Sequence, residues 1–271
     1  MLECLIDGEI STLVDASNRG LNYGDGLFET LVVRNNRPHR WQAHMDRMGT
    51  GCERLGLQMP PQAVLLREVQ TVSAGLSETV VKIVLTRGGV ARGYMPEQNS
   101  DCTRIISAHP FPEGLEELAR KGTEARVCNL RLAIQPALGG IKHLNRLEHV
   151  LASAELRESP AVEGLLLDRE DHVISAISAN IFLVKEGRLL TPRLDRCGVR
   201  GVVRGQILAA FGHRCEQRRI FLDQFLEADE VFICNSVKGV IPIKAIEKQF
   251  FETGPVTREV QSWLQEGERR A

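Results

Sequence analysis

The segment Pro110-Phe111-Pro112-Glu113-Gly114 constrains the fold more than any other. Two prolines lack the backbone donor a strand ladder needs and a glycine follows, so the β-rich run that reaches Ala108 cannot continue through it. The chain therefore divides into residues 1–110 and 120–271, joined by a linker over 111–119. Each part mixes β-rich runs with helical periodicity. In the first, residues 2–6 and 9–15 read as short strands around Asp7-Gly8, and Leu27–Arg34 as a strand closed by the hairpin signal Asn35-Asn36-Arg37-Pro38. Met45, Met48, Cys52 and Leu55 recur at helical spacing, with His44 and Arg47 beside the stripe, which predicts a helix over 42–55. A second helix is expected over 62–75, and strands at 79–86 and 103–108.

The second part predicts a strand over 124–133, then a helix with the apolar face Leu144, Leu147, Leu151 and Ala154, reaching about residue 157. Strands follow near 163–168, 178–185 and 188–191, a helix over 201–211, strands at 214–221, 229–234 and 239–246, and a last helix over 255–267. Strands and helices without strict βαβ alternation predict an α+β fold in two domains, a smaller N-terminal one and a larger C-terminal one.

Composition removes several function classes. Lys+Arg 34 against Asp+Glu 35 gives a net charge of -1, so the chain as a whole does not attract nucleic acid or an anionic membrane. No apolar run approaches the roughly 18 residues needed to span a bilayer. The opening MLECLIDGEI carries Glu3, Asp7 and Glu9 where a secretory signal would be basic. Seven dispersed cysteines with no CxxC pair suggest buried thiols in a reducing compartment, and a soluble cytoplasmic protein is expected.

Many catalytic motifs are absent: there is no P-loop, G-x-S-x-G, H-E-x-x-H or EF-hand loop, and Gly24-Asp25-Gly26 reads as a turn. His143 and His149 stand six apart, which does not bring them to one helix face, so no metal site is expected. Among the seven lysines, Lys142 stands out in Ala137-Leu-Gly-Gly-Ile-Lys-His-Leu-Asn-Arg-Leu147, between glycines and apolar residues just before a helix. A buried amine loses its charge readily, and a neutral amine is the nucleophile of a Schiff base. The same surroundings suit a structural lysine whose stem covers apolar surface. Spacing alone leaves both open.

The segment Gly140-Ile-Lys-His-Leu-Asn-Arg-Leu-Glu148 resembles the pyridoxal-phosphate lysine motif of the branched-chain aminotransferase-like (fold type IV) family, nearest to its aminodeoxychorismate lyase branch. Asn22-Tyr-Gly-Asp-Gly-Leu-Phe-Glu29, His44-Met-Asp-Arg47, Ala179-Asn-Ile-Phe182 and Gly198-Val-Arg-Gly-Val-Val-Arg204 agree in order. Arg87-Gly-Gly-Val-Ala-Arg-Gly-Tyr94 is similar to the lyase branch. The resemblance implies a two-domain α+β enzyme with pyridoxal 5'-phosphate in the interdomain cleft. Lys142 would carry the cofactor and then move the substrate's proton. Arg47 would clamp the cofactor phosphate, with Val199, Arg200, Asn235 and Ser236 as the remaining phosphate contacts. The implied reaction converts 4-amino-4-deoxychorismate to 4-aminobenzoate and pyruvate, a step of folate biosynthesis. Arg92 and Arg87 are candidates for the substrate carboxylates, Tyr94 and Asn145 for hydrogen bonds, and Glu29 and Thr30 either line the pocket or fill a strand. A homodimer is implied as well.

One position departs from the family pattern. A glutamate pairs there with the pyridine nitrogen, five residues before the Asn of the Asn-Ile-Phe segment. Counting back from Asn180 gives Ser175, with Asp171 the nearest carboxylate before it. A hydroxyl does not keep that nitrogen protonated as a carboxylate does, so the ring is a weaker electron sink. That favours elimination over transamination, unless a loop shift brings Asp171 or Glu170 to the ring. Two alternatives remain: a branched-chain or D-amino-acid aminotransferase on the same fold, and a non-catalytic ligand-binding paralogue.

Overall fold

The structure, a computed structural model, describes residues 1–89, 93–96, 101–157, 159 and 161–270. The chain forms two compact units: Met1–Pro112 with Ile141–Asn145, and Glu113–Gly140 with Arg146–Ala271. The lysine segment thus groups with the first unit, although the sequence reading assigns it to 120–271. The reason lies in its backbone pairing.

The first unit runs β1 (Glu3–Ile6), β2 (Glu9–Ile10), α1 (Arg19–Tyr23), β3 (Gly26–Arg34), β4 (Arg37–Pro38), α2 (Trp41–Leu55), α3 (Gln62–Val72), β5 (Glu78–Thr86) and β6 (Thr103–His109). Its sheet has the order β2-β1-β6-β5-β3-β4, antiparallel throughout. Arg34 pairs with Arg37 across a two-residue loop, and Asn35 and Asn36 both take positive φ (47° and 61°). That is the turn whose twist matches the flanking strands, and asparagine tolerates it. Leu31, Val33, Val81, Ile83, Leu85 and Ile106 bury one continuous patch, while Met45, Met48 and Cys52 bury the apolar stripe of α2. The strand expected over 9–15 stops at Ile10.

The second unit runs α4 (Leu115–Lys121), β7 (Thr123–Leu132), α5 (Leu147–Ala154), β8 (Glu163–Asp168), β9 (Val173–Ala176), β10 (Asn180–Lys185), β11 (Arg188–Pro192), α6 (Val202–Ala210), β12 (Cys215–Arg218), α7 (Leu222–Leu226), β13 (Glu230–Asn235), β14 (Gly239–Ile246), β15 (Gln249–Phe250) and α8 (Pro255–Arg270). Its sheet has the order β12-β11-β10-β13-β14-β7-β8-β9, with β15 on β14. The β11–β12, β14–β7 and β7–β8 pairs are parallel. Ile181 and Leu183 enter one hydrophobic cluster and Phe182 and Val184 the other, so both faces of β10 are covered and its sequence is a near-continuous apolar run. Phe182 and Phe232 are register partners whose rings stack 5.0 Å apart.

Several elements differ from expectation. Residues 115–119, read as the end of a linker, belong to α4. Gly114 enters it in the left-handed region, and Glu116 and Glu117 at its start and Arg120 and Lys121 at its end complement the helix dipole. The strand expected over 178–185 is β10, which starts at Asn180, and β9 before it was not expected; Ala176 N donates to Ala179 O, so the chain turns between the two. The helix expected from residue 144 begins at Leu147, because the residues before it are engaged with β3.

The start of α6 is a tight joint. Gly201 caps it with an extended backbone, and a Cβ on Gly201 would overlap Asn180 Oδ1, whose Nδ2 donates to Val199 O at 2.8 Å. Gly205, exposed in the same helix, has open space around it. Gly201→Ala is expected to lose about 1–3 kcal/mol in urea unfolding through overpacking, whereas Gly205→Ala is expected to gain up to about 1 kcal/mol from helix propensity.

Candidate active site

Residues 141–145 pair with the beginning of β3. Phe28 N donates to Lys142 O (3.0 Å), Leu144 N donates to Gly26 O (3.0 Å), and Leu27 and His143 form an antiparallel bridge. Ile141 is buried beside them. Lys142 is half-buried with its Nζ 4.1 Å from the centre of the Phe28 ring. Asn145 Nδ2 donates to Gly24 O (3.1 Å). Gly24 sits at φ 64°, and a Cβ there would lie 2.5 Å from Asn145 Oδ1, so glycine is needed for backbone and packing alike.

The next residue of β3, Glu29, anchors a buried charge cluster. Arg47 Nε donates to Glu29 Oε1 at 2.8 Å, Arg47 Nη2 donates to Glu29 Oε2, and His44 Nδ1 lies 2.6 Å from Glu29 Oε2. Glu29 and His44 are 1% and 0% exposed. Burial opposes ionisation of Glu29, but the charge and hydrogen bonds of Arg47 outweigh it, with a further bond from His44, and lower its pKa to about 2. Burial pushes His44 down, so the imidazole is neutral at pH 7 and its Nδ1 donates to the carboxylate. Glu29 is therefore a buried counter-charge that orients Arg47. Thr30 is half-buried and faces Lys82 in register.

A second cluster reassigns Arg87. Its Nε and Nη2 donate to the Asp25 carboxylate at 2.8 and 3.2 Å, and its Nη1 and Nη2 donate to Gly56 O (2.9 Å) and Leu55 O (2.6 Å). Arg87 is 7% exposed. The guanidinium ties the end of α2 to the turn before β3, so the substrate role expected for it gives way to a structural one. Arg19 Nε shares Asp25 Oδ2 at 2.9 Å, and its Nη1 and Nη2 donate to the carbonyls of Gly93 (2.8 Å) and Tyr94 (3.1 Å). The Tyr94 side chain is exposed, its ring centre 5.6 Å from that of Tyr23. Arg92 lies outside the described residues.

The second unit gathers groups suited to an anion. Arg200 N donates to Gly140 O (2.9 Å) and Gly140 N to Gly198 O (3.0 Å), with Val199 bridged to Gly140. The Arg200 donor expected to face phosphate is thus occupied. The open donors lie further on, in the first turn of α6 at Val202 and Val203, where no side chain caps the helix. The helix predicted from residue 201 already carried that signal. Arg204 in the same turn is buried; its Nε donates to Thr191 Oγ1 (3.2 Å) and its Nη2 to Pro192 O and Gln217 Oε1 (both 2.9 Å), none a carboxylate. Burial lowers its pKa to about 10, and its positive charge adds to the field of the helix end.

Asn235 Oδ1 accepts from Val237 N (3.0 Å) and Lys238 N (2.7 Å), and its Nδ2 donates to Ser178 O (3.0 Å). Its side chain therefore shapes the turn that presents Ser236. Ser175 lies on β9, 6% exposed, and its hydroxyl has no hydrogen-bond partner among the described residues. The carboxylates that a loop shift would bring in are engaged elsewhere: Glu170 with Arg196 at 2.5 and 2.7 Å, and Asp171 with Arg131 at 3.0 Å. Uncapped helical N–H groups at the start of α6 are a feature that a phosphate-bearing ligand satisfies.

The class IV aminotransferase family model matches residues 26–246, and the chain belongs to that family, whose members use pyridoxal phosphate. It is 34% identical over 266 residues to the aminodeoxychorismate lyase of Vibrio harveyi, covering 96% of this chain and 98% of that protein. The crystal structure of 4-amino-4-deoxychorismate lyase from Pseudomonas aeruginosa superimposes with a TM-score of 0.92 at 38% identity, over 97% of this chain and 98% of that one. A branched-chain aminotransferase from Thermoproteus uzoniensis shares the fold, with a TM-score of 0.85 at 23% identity, over 97% of this chain and 93% of that one.

Because Glu29 titrates near 2 in the folded state and near 4.5 when unpaired, it contributes stability above pH 4.5 that is lost as the pH falls toward 2. The loss attributable to this one group is about 3 kcal/mol. Glu29→Gln is expected to be less stable at neutral pH and to lack that part of the acid slope, as read by urea unfolding across pH.

Proposed function

We propose that the chain is a pyridoxal-phosphate-dependent lyase that converts 4-amino-4-deoxychorismate to 4-aminobenzoate and pyruvate. The observation that carries this reading is similarity at 34–38% identity along nearly the whole chain to two proteins so named. Under it, Lys142 holds the cofactor covalently, Arg47 and the N–H groups of Val202 and Val203 hold its phosphate, and Ser236 adds a contact on the turn shaped by Asn235. Ser175 faces the ring nitrogen. Bound there, the cofactor supplies the electron sink for the carbon bearing the substrate amine. The Lys142 amine removes the proton from that carbon. The C–O bond to the enolpyruvyl group then breaks with its electron pair, enolpyruvate takes up a proton to become pyruvate, and the remaining ring is aromatic. Asn145 and Tyr94 are kept as substrate contacts, and Arg92 as the cation for its carboxylates.

Two further features belong to this reading. A homodimer is supported by Leu147, Val150 and Leu151, which leave an apolar face of α5 exposed. A cytoplasmic setting is supported by seven free cysteines, six of them buried, and by the absence, among the described residues, of any helix long and apolar enough to cross a membrane. The aminotransferase relatives, such as the D-alanine aminotransferase of Bacillus licheniformis at 25% identity over 93% of this chain and 90% of that protein, keep transamination as the second reading.

The test is fluorescence detection of 4-aminobenzoate formed from enzymatically prepared aminodeoxychorismate, with wild type and Lys142→Ala side by side. Product is expected from wild type alone. A protein that holds a borohydride-reducible chromophore yet forms no product would shift the assignment to an aminotransferase. Ser175→Ala is expected to lower turnover while keeping the cofactor; loss of cofactor binding in that variant would give Ser175 a structural role instead.

A further inference from the structure

Phe28 stands in a relation to Lys142 that the lyase reading does not use. The Lys142 nitrogen lies 4.1 Å from the centre of a half-buried aromatic ring, a distance at which an ammonium is attracted by the negative face of the π system. The backbone imposes this adjacency: the Phe28-to-Lys142 hydrogen bond and the Leu27–His143 bridge set the two residues side by side in register. Leucine at position 28 would fill similar space without any such attraction.

Charged and titratable side chains stand on each of the elements around this pair. From β5, Lys82 Nζ lies 5.3 Å from the same ring centre, and its charge opposes a second ammonium there. On β3, Glu29 is held by Arg47 and His44, and before it Asp25 is held by Arg19 and Arg87. His143 and Asn145 flank Lys142 on its own segment.

We propose that Phe28 is a positioning residue for Lys142, its ring face stabilising the ammonium that forms when the lysine amine takes up a proton. This rests on the reading of Lys142 as the cofactor lysine. A lysine that takes a proton from carbon must keep it until it is returned or passed on. An aromatic face stabilises the ammonium without introducing a carboxylate that would compete for the proton.

The test uses the full-length protein stripped of cofactor. It is labelled with limiting acetic anhydride over a pH series, and acetylation of Lys142 is quantified by peptide mass spectrometry against the other lysines. In Phe28→Leu the amine is expected to titrate about 0.5–1 unit lower, so that Lys142 is labelled about 3- to 10-fold faster below its pKa. Phe28→Tyr, which keeps the π face, is expected to follow wild type. Pentafluorophenylalanine at position 28, similar in shape with an inverted quadrupole, is expected to shift the profile at least as far as leucine, and it decides the matter if Phe28→Leu fails to fold. A Phe28→Leu or pentafluoro profile that coincides with wild type overturns the proposal, and so does an equal shift in Phe28→Tyr. Borohydride reduction of the wild type with pyridoxal phosphate, followed by peptide mapping, tests the underlying reading separately. A pyridoxyl group on another lysine would refute the cofactor role of Lys142 whatever the labelling shows.

Discussion

The arrangement depends on a short backbone pairing, in which residues 142–144 add to the first three residues of β3. Two hydrogen bonds and one bridge are a small fraction of the fold, yet they decide which unit the lysine belongs to and what its side chain meets. A lysine on a flexible loop would sample many rotamers, at a cost of up to about 2 kcal/mol of entropy on ordering. Registered against Phe28, its backbone is ordered as part of folding.

The same strand organises charge. Within five residues, Asp25 and Glu29 each recruit partners that hold a carboxylate ionised, half-buried in the first case and buried in the second: Arg19 and Arg87 for Asp25, Arg47 and His44 for Glu29. A buried carboxylate without such partners would be strongly destabilising. Their consequences differ. The Asp25 cluster leaves one positive charge in excess and anchors carbonyls of the chain on either side of it. The Glu29 cluster is neutral overall and holds one guanidinium edge, giving Arg47 a defined direction.

In the second unit the corresponding element is the uncapped start of α6. Glycine at 201 admits the Asn180 amide, and Asn180 holds the Val199 carbonyl that leads into the helix. Its first-turn N–H groups and the buried Arg204 charge provide a positive potential, while Asn235 and Ser175 lie on strands of the same sheet. Carboxylates of the β8–β9 turn are paired outward with Arg196 and Arg131, which leaves the Ser175 position neutral.

Much of this was legible in the sequence by itself. The period of Met45, Met48 and Cys52 determined α2, the double asparagine determined the β3–β4 turn, and the context of Lys142 together with the ordered motifs determined the family, because these are local signals of spacing and turn chemistry. Only the tertiary structure decided that Arg87 meets Asp25 rather than a ligand, that His44 turns inward to Glu29 and that the open helical donors belong to Val202 and Val203. It also decided that Leu144 pairs with β3 rather than beginning a helix. Each of these depends on a partner distant in the chain or on a few residues of register. A charged side chain reads the same in sequence whether it faces water, a buried counter-charge or a ligand, and only folding brings the partner that settles which.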